Sequence, residues 1–114
     1  IKEIGSALRK TSRLCRDLKI DKREFFGGSM TISSLGGIGG TFFTPIINPP
    51  EVAILGVGKS FDRLVKVKDK FVSRKILPIS LSYDHRIIDG AEGARFCVYL
   101  GKCLGKDFAF KLAV

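Results

Sequence analysis

His85 is the only histidine in the chain, and the side chains around it bear on its chemistry. Asp84 and Arg86 flank it directly, and Asp89 follows shortly after. A free imidazole titrates near pH 6.5, so it is available as a base at neutral pH. A plainer role also fits, because a lone histidine often serves as a hydrogen-bonded structural group. Asp89 has two roles open to it. It precedes a helix-like segment, and Glu92 three residues later completes a capping-box pattern, so it fits a helix N-cap as well as an active-site carboxylate. One histidine with scattered carboxylates forms no recognisable ligand set, and no metal is expected. Cys15, Cys97 and Cys103 lack metal spacing too. Set inside apolar patterns, they read as reduced, buried thiols of a cytosol-like compartment.

The elements that must position this histidine are legible on both sides of it. Ile76 to Tyr83 reads as a strand, with Ile79, Leu81 and Tyr83 on one face and Ser80 and Ser82 on the other. It runs into the polar turn Asp84 to Gly90. Ala91 to Lys106 then reads as a helix that is apolar nearly all round (Ala94, Phe96, Cys97, Val98, Leu100, Leu104), which implies burial against other elements. Gly101 and Gly105 weaken its end by about 1 kcal/mol each relative to alanine.

Further upstream, residues 1–19 form an amphipathic helix by spacing. Ile1, Ile4, Leu8, Thr11, Cys15 and Leu18 make its apolar stripe, and a stripe of this kind packs on a sheet. Asp21 to Glu24 has capping-box spacing, and Gly27-Gly28 ends the short turn that follows. Ser29 to Leu35 alternates as a strand, with Met30 and Ile32 against Thr31 and Ser33. Gly36-Gly37-Ile38-Gly39-Gly40 fails as a phosphate loop, because no lysine follows the glycines directly. It fails as a dinucleotide fingerprint, because no helix starts after it. It reads as a turn that lets backbone approach closely, to a ligand or to another chain. Val52 to Val57 is continuously apolar, as a strand buried on both faces should be. Residues 61–75 suggest a surface meander or a hairpin around Lys68-Asp69-Lys70.

The chain fits one domain or part of one, and at 45% hydrophobic with nine phenylalanines it can build a core. No apolar run is long enough for a membrane helix, and no leader pattern opens the sequence. The net charge of +9 raises nucleic acid as a partner. The basic residues are spread out, however, and no nucleic-acid-binding module accompanies them, so a solvated basic surface is the reading.

Asp84-His85-Arg86-x-x-Asp89-Gly90 resembles the active-site signature of the acyltransferase component of 2-oxo acid dehydrogenase complexes. Met30-Thr31-Ile32-Ser33-Ser34-Leu35-Gly36-Gly37 resembles the strand-and-glycine segment upstream of it. Pro45 to Val57 and Leu77 to Arg86 resemble the blocks that follow in order. The resemblance covers essentially the whole chain. It implies an α/β fold of the two-layer α+β kind, a chloramphenicol-acetyltransferase-like mixed sheet with packed helices, incomplete in this chain. It also implies that residues 1–114 are the C-terminal part of one catalytic domain, with the lipoyl and subunit-binding domains absent, so that the isolated piece is inactive.

By position, the resemblance makes His85 the general base that takes the proton from the coenzyme A thiol. Ser33 becomes the hydroxyl that stabilises the oxyanion, with Ser34 as its competitor. Asp89 holds the site through a charge pair, and Asp84 and Arg86 are structural. The substrates are coenzyme A and an acyl group on dihydrolipoamide, carried on a lipoyl domain. The glycine segment is closer to acetyl-transferring, pyruvate-type members than to succinyl-transferring ones. A succinyl- or branched-chain-acyl-transferring member, or a non-catalytic core-forming fragment, are the alternatives. The implied partners are a homotrimer building a larger hollow core, lipoyl domains, and the decarboxylase and dihydrolipoamide dehydrogenase components, with no nucleic acid and no membrane. The implied location is the cytoplasm of a bacterium, or the mitochondrial matrix of a eukaryote. The coenzyme A contacts are not assigned; the basic stretch Lys59 to Lys75 is suggested for its phosphates.

Overall fold

The computed structural model describes residues 1–105 and 108. Among them the order is α1 (Lys2–Arg16), a 3-10 turn (Lys22–Phe25), β1 (Thr31–Ser34), β2 (Ala53–Val57), β3 (Phe61–Val67), β4 (Lys70–Ile76), β5 (Ile79–Tyr83) and α2 (Gly90–Cys103). The chain divides into two compact units. One is Ser29–Tyr99; the other is Ile1–Gly28 with the chain from Leu100.

The larger unit is built on a mixed sheet in the order β1-β2-β5. β2 runs parallel to β1 and antiparallel to β5. Being central, β2 has both edges paired, and its apolar run is buried as expected: Ala53, Ile54 and Leu55 are 6%, 6% and 7% exposed. Register sorts the faces. The rungs Thr31–Ile54–Ser82 and Ser33–Gly56–Ser80 share one face, while Ile32–Leu55–Leu81 and Ala53–Tyr83 share the other. On β1 the usual preference is inverted. Ile32 is 67% exposed, whereas Thr31 and Ser33 are half-buried. The Thr31 hydroxyl is satisfied there, donating to Glu51 Oε2 at 2.6 Å.

β5 begins at Ile79, later than the spacing predicts. Pro78 has no N–H to give a ladder, and its carbonyl accepts instead from the Gly58 amide at 3.0 Å. Ile76 pairs with Phe61 and closes the β3–β4 hairpin. The hairpin turns at Lys68-Asp69, with Lys68 in the left-handed region at φ +56°. Among the described residues, its strands are exposed except at Ile76.

The glycine-rich segment folds back on the chain itself. The Leu35 carbonyl accepts from Ile38 N at 2.9 Å and Gly39 N at 3.0 Å, and the Gly40 carbonyl accepts from Lys59 N at 2.9 Å. Its close approach is to the end of β2. A Cβ on Gly58 would run into the Thr41 carbonyl oxygen, and one on Gly36 would lie 3.2 Å from the Gly58 oxygen. The glycine that matters most here, Gly58, stands outside the Gly36–Gly40 cluster.

α2 departs from expectation. Of its residues only Gly93 is buried, and Val98 and Tyr99 are 58% and 70% exposed. One face of a helix meets the three-stranded sheet, and the sheet cannot cover the others. Between β2, β5 and the first turns of α2 lies an apolar cleft of about 230 Å³, lined by Met30, Ala53, Leu81, Ile88, Gly93 and Phe96 among others. The expected end of the helix at Lys106 lies outside the described residues. The three cysteines are free, as expected, but half-buried rather than buried.

In the smaller unit, α1 stops at a Schellman turn. Lys19 N donates to Leu14 O at 2.9 Å and Leu18 N to Cys15 O at 3.1 Å. Leu18 occupies the left-handed position usually given to glycine, at φ +53°. It therefore lies outside the stripe assigned to it and is 92% exposed. No residue of α1 is buried: Ile1, Ile4 and Leu8 of its stripe are exposed, and Cys15 is half-buried. Asp21 does cap the 3-10 turn, its Oδ1 accepting from Arg23 N at 2.9 Å, while Glu24 N donates to the Asp21 carbonyl at 3.0 Å.

Candidate active site

The histidine stands where β5 leaves the sheet. Asp84 N still donates to the Val52 carbonyl at 2.8 Å, one step beyond the last strand pair. The chain then turns at once, with Ile87 N and Ile88 N both donating to the Asp84 carbonyl at 3.0 and 2.9 Å. The Asp84 side chain fixes the same turn. Its Oδ1 accepts from Arg86 N at 3.0 Å and Arg86 Nε at 2.9 Å, and its Oδ2 from the Arg86 guanidinium at 2.5 Å. These hydrogen bonds from Arg86 hold the Asp84 carboxyl down at about 2, and Asp84 in turn raises Arg86. Asp84 is thus ionised throughout the neutral range and committed to Arg86.

His85 is exposed. Its ring leans on Tyr83, with centroids 5.8 Å apart and planes inclined by 39°. Two glycines of α2 shape the surroundings. A Cβ on Gly90 would sit 3.7 Å from Tyr83 Oη and 4.0 Å from His85 Nε2, so the phenol and the imidazole border one small space. A Cβ on Gly93 would press into the Tyr83 ring at 2.9 Å. By sequence pattern Tyr83 is only one residue of a strand face, and nothing marks Gly93. The available signal was their spacing: a ring two residues before His85, and small residues at positions i and i+3 of the helix that follows.

Asp89 caps α2. Its Oδ1 accepts from Glu92 N at 2.7 Å and its carbonyl from Gly93 N at 3.1 Å. Among the described residues it has no charged partner. Ser33 is half-buried at the rung with Gly56, and Ser34 is exposed on the opposite face. Ser33 and His85 are not brought together within this chain. They belong to opposite edges of the sheet, about 10 Å apart across the strands, and Ser33 lies three rungs, about 10 Å, from the Tyr83 end. The basic stretch is the exposed hairpin, where Lys75 pairs with Asp62 at 3.1 Å and Arg63 faces Arg74. Among the described residues no three His, Cys, Asp or Glu side chains gather as a metal site, and no helix is long and apolar enough to cross a membrane.

The chain is similar to known proteins over most of its length. The acetyltransferase component of the pyruvate dehydrogenase complex of Cupriavidus necator is 53% identical over 106 residues, which are 93% of this chain and 19% of that protein. The crystal structure of Azotobacter vinelandii dihydrolipoamide acetyltransferase superposes with a TM-score of 0.88 at 47% identity, covering 94% of this chain and 44% of that one. The cubic core of a pyruvate dehydrogenase multienzyme complex superposes with the same TM-score at 46% identity, over the same shares. The chain therefore spans about a fifth of that curated relative and less than half of those solved catalytic chains. Its mixed sheet with a helix packed against it is the fold of these catalytic cores. The family profile described as 2-oxoacid dehydrogenases acyltransferase (catalytic domain) matches residues 1–109, and the chain belongs to that family.

Proposed function

We propose that residues 1–114 are the C-terminal part of one acyltransferase catalytic domain, which exchanges an acetyl group between dihydrolipoamide and coenzyme A in a pyruvate dehydrogenase complex. The observation that carries this reading is the placement of His85, an exposed imidazole held at the end of β5 between the Asp84–Arg86 clamp and the capped start of α2. A second observation supports the site. The investigation of the Azotobacter vinelandii enzyme names a serine, a histidine and an asparagine in its catalytic mechanism, at the same sequence separations as Ser33, His85 and Asp89. By that separation Asp89 corresponds to the asparagine, and the oxygen of either side chain can accept the Glu92 amide.

In this mechanism His85 takes the proton from the coenzyme A thiol. A thiol with a pKa near 8.5 is mostly protonated at neutral pH, so a base in place supplies the nucleophile. The thiolate attacks the carbonyl carbon of S-acetyldihydrolipoamide. The tetrahedral oxyanion accepts a hydrogen bond from Ser33. Collapse expels the dihydrolipoamide thiolate, which recovers the proton from His85. One thioester replaces another, and the step runs in both directions. Ser33 and His85 are far apart in one chain, which supports an active site shared between neighbouring subunits of a homotrimer within a larger core.

Lipoyl domains would deliver the acyl group, with the decarboxylase and dihydrolipoamide dehydrogenase components as further partners. The proposed location is the cytoplasm. The deciding experiment is His85→Ala in the full-length protein. Assembly should persist, while acetyl transfer from acetyl-CoA to dihydrolipoamide falls by about 10²–10⁴. Undiminished transfer in an assembled variant sinks the base assignment.

A further inference from the structure

We propose that Tyr83 is a positioning residue for His85, and that the missing side chain of Gly93 is what lets it act as one. This inference rests on the acyl-transfer role of His85 set out above. Arg86 absorbs the Asp84 carboxylate, and the Asp89 carboxylate is turned to the backbone of α2. Neither flanking acid therefore orients the imidazole through a hydrogen bond. The aromatic neighbour of His85 is Tyr83, at a centroid separation of 5.8 Å, within the range of a productive offset or tilted pair.

Tyr83 is itself held from two sides. Strand pairing fixes its backbone opposite Ala53. Its ring lies flush on α2 at Gly93, where a Cβ would come to 2.9 Å of Cε1 and 3.2 Å of Cζ. Those are body atoms of a ring wedged between a sheet and a helix, so a methyl group at position 93 cannot be accommodated by a flexible tip. The ring must move, and the surface supporting the imidazole moves with it. Gly90 completes the arrangement by leaving open the space bordered by Tyr83 Oη and His85 Nε2. Gly93 is thus coupled to the reacting nitrogen through one side chain, without touching it.

The test is a double-mutant cycle in the full-length assembled enzyme, read as kcat and KM for coenzyme A and dihydrolipoamide. Displacing a catalytic group by about 1 Å can cost about 100-fold in rate. Tyr83→Leu and Gly93→Ala should each lower kcat by about 10- to 100-fold with KM changed far less. The double variant should be no slower than the worse single one, because without the ring the methyl group at position 93 has nothing to displace. Tyr83→Phe keeps the ring and should lose much less than Tyr83→Leu. Costs that multiply in the double variant, or a Tyr83→Leu enzyme with parental kcat, overturn the proposal. A Tyr83→Phe loss as large as that of Tyr83→Leu also overturns it, in favour of direct action by the hydroxyl. If Gly93→Ala does not assemble, the Phe and Leu variants still decide between ring and hydroxyl. His85→Ala, measured alongside, separates the two readings. If it retains activity, the base assignment fails, whatever the cycle shows.

Discussion

Asp84 and Arg86 grip each other across His85, with the carboxylate accepting from both the backbone amide and the guanidinium of the residue two positions on. The pair is lopsided in exposure, with the Arg86 side chain 88% exposed and that of Asp84 20%. The carboxylate is the inner anchor, and the arginine folds over it from the solvent side. This turns two charged neighbours of a histidine into parts of a turn. The imidazole gains a rigid backbone from them but no charge relay.

That clamp has an acid limit. The Asp84 carboxyl is lowered from its ordinary value of 3.8 to about 2 by the Arg86 hydrogen bonds. A carboxyl depressed by folding contributes stability that is fully present above its unfolded value and is lost as pH falls through the folded one. The contribution should therefore be complete above pH 5 and fade between about 4 and 2. Thermal unfolding midpoints of the parent and of Asp84→Asn, followed against pH, should differ by a constant amount above pH 5 and converge toward pH 2. A gap that persists at pH 2 would show that the carboxylate's charge is not what holds the turn.

Ser33 and Ser34 are adjacent and chemically equivalent, and the sheet separates them. Ser33 is half-buried on the rung with Gly56 and Ser80, while Ser34 points the other way and is exposed. Ser33→Ala should lower kcat by about 10²–10³, the usual loss when one oxyanion donor is removed. Ser34→Ala should cost far less. Steady-state kinetics of both variants in the full-length enzyme decide the matter, and the reverse ranking would move the oxyanion donor to Ser34.

Glycine tolerance should follow geometry and not clustering. Gly37 has no atom within 4 Å of where a Cβ would stand and has no left-handed φ, so Gly37→Ala should be close to neutral. Gly58→Ala must push against the Thr41 backbone oxygen and the Pro78 ring, which lies 3.0 Å away. Overpacking of this kind costs about 1–3 kcal/mol. Denaturant unfolding of the two variants should separate them clearly. Equal midpoints would mean that the backbone at Thr41 yields more freely than its approach to Gly58 implies.

Local signals in the sequence foretold most of the elements but not their partners. The apolar run at β2, the hairpin turn at Lys68-Asp69 and the Asp89 cap all depend on residues close in sequence, and all are present in the structure. Other features depend on where an element ends or on what lies across from it. The apolar residues of α2 imply burial, yet exposure is decided by whether another surface arrives to cover them. Leu18 fits the helical stripe by spacing, but the helix ends before it and gives it the left-handed position. The role of Gly58 arises from a loop that returns from Thr41, which no periodicity encodes. At the candidate site the acids and the histidine were visible as a motif, whereas the contact between Tyr83 and Gly93 exists only once a strand and a helix pack together.

Asp89 offers the sharpest separation of a structural role from a chemical one. Its Oδ1 accepts from the Glu92 amide at 2.7 Å, and among the described residues no cation faces it. Asp89→Ala removes the cap and should destabilise the enzyme by about 0.5–2 kcal/mol. Asp89→Asn keeps an oxygen in the same place and should retain nearly all of that stability. The cap also anchors the turn that carries His85, so Asp89→Ala should lower kcat, and Asp89→Asn should lower it less. Unfolding midpoints and kcat measured on both variants test the link directly. If Asp89→Asn keeps parental stability but loses as much kcat as Asp89→Ala, the negative charge itself acts in the reaction, and a cation from a neighbouring subunit becomes the group to find.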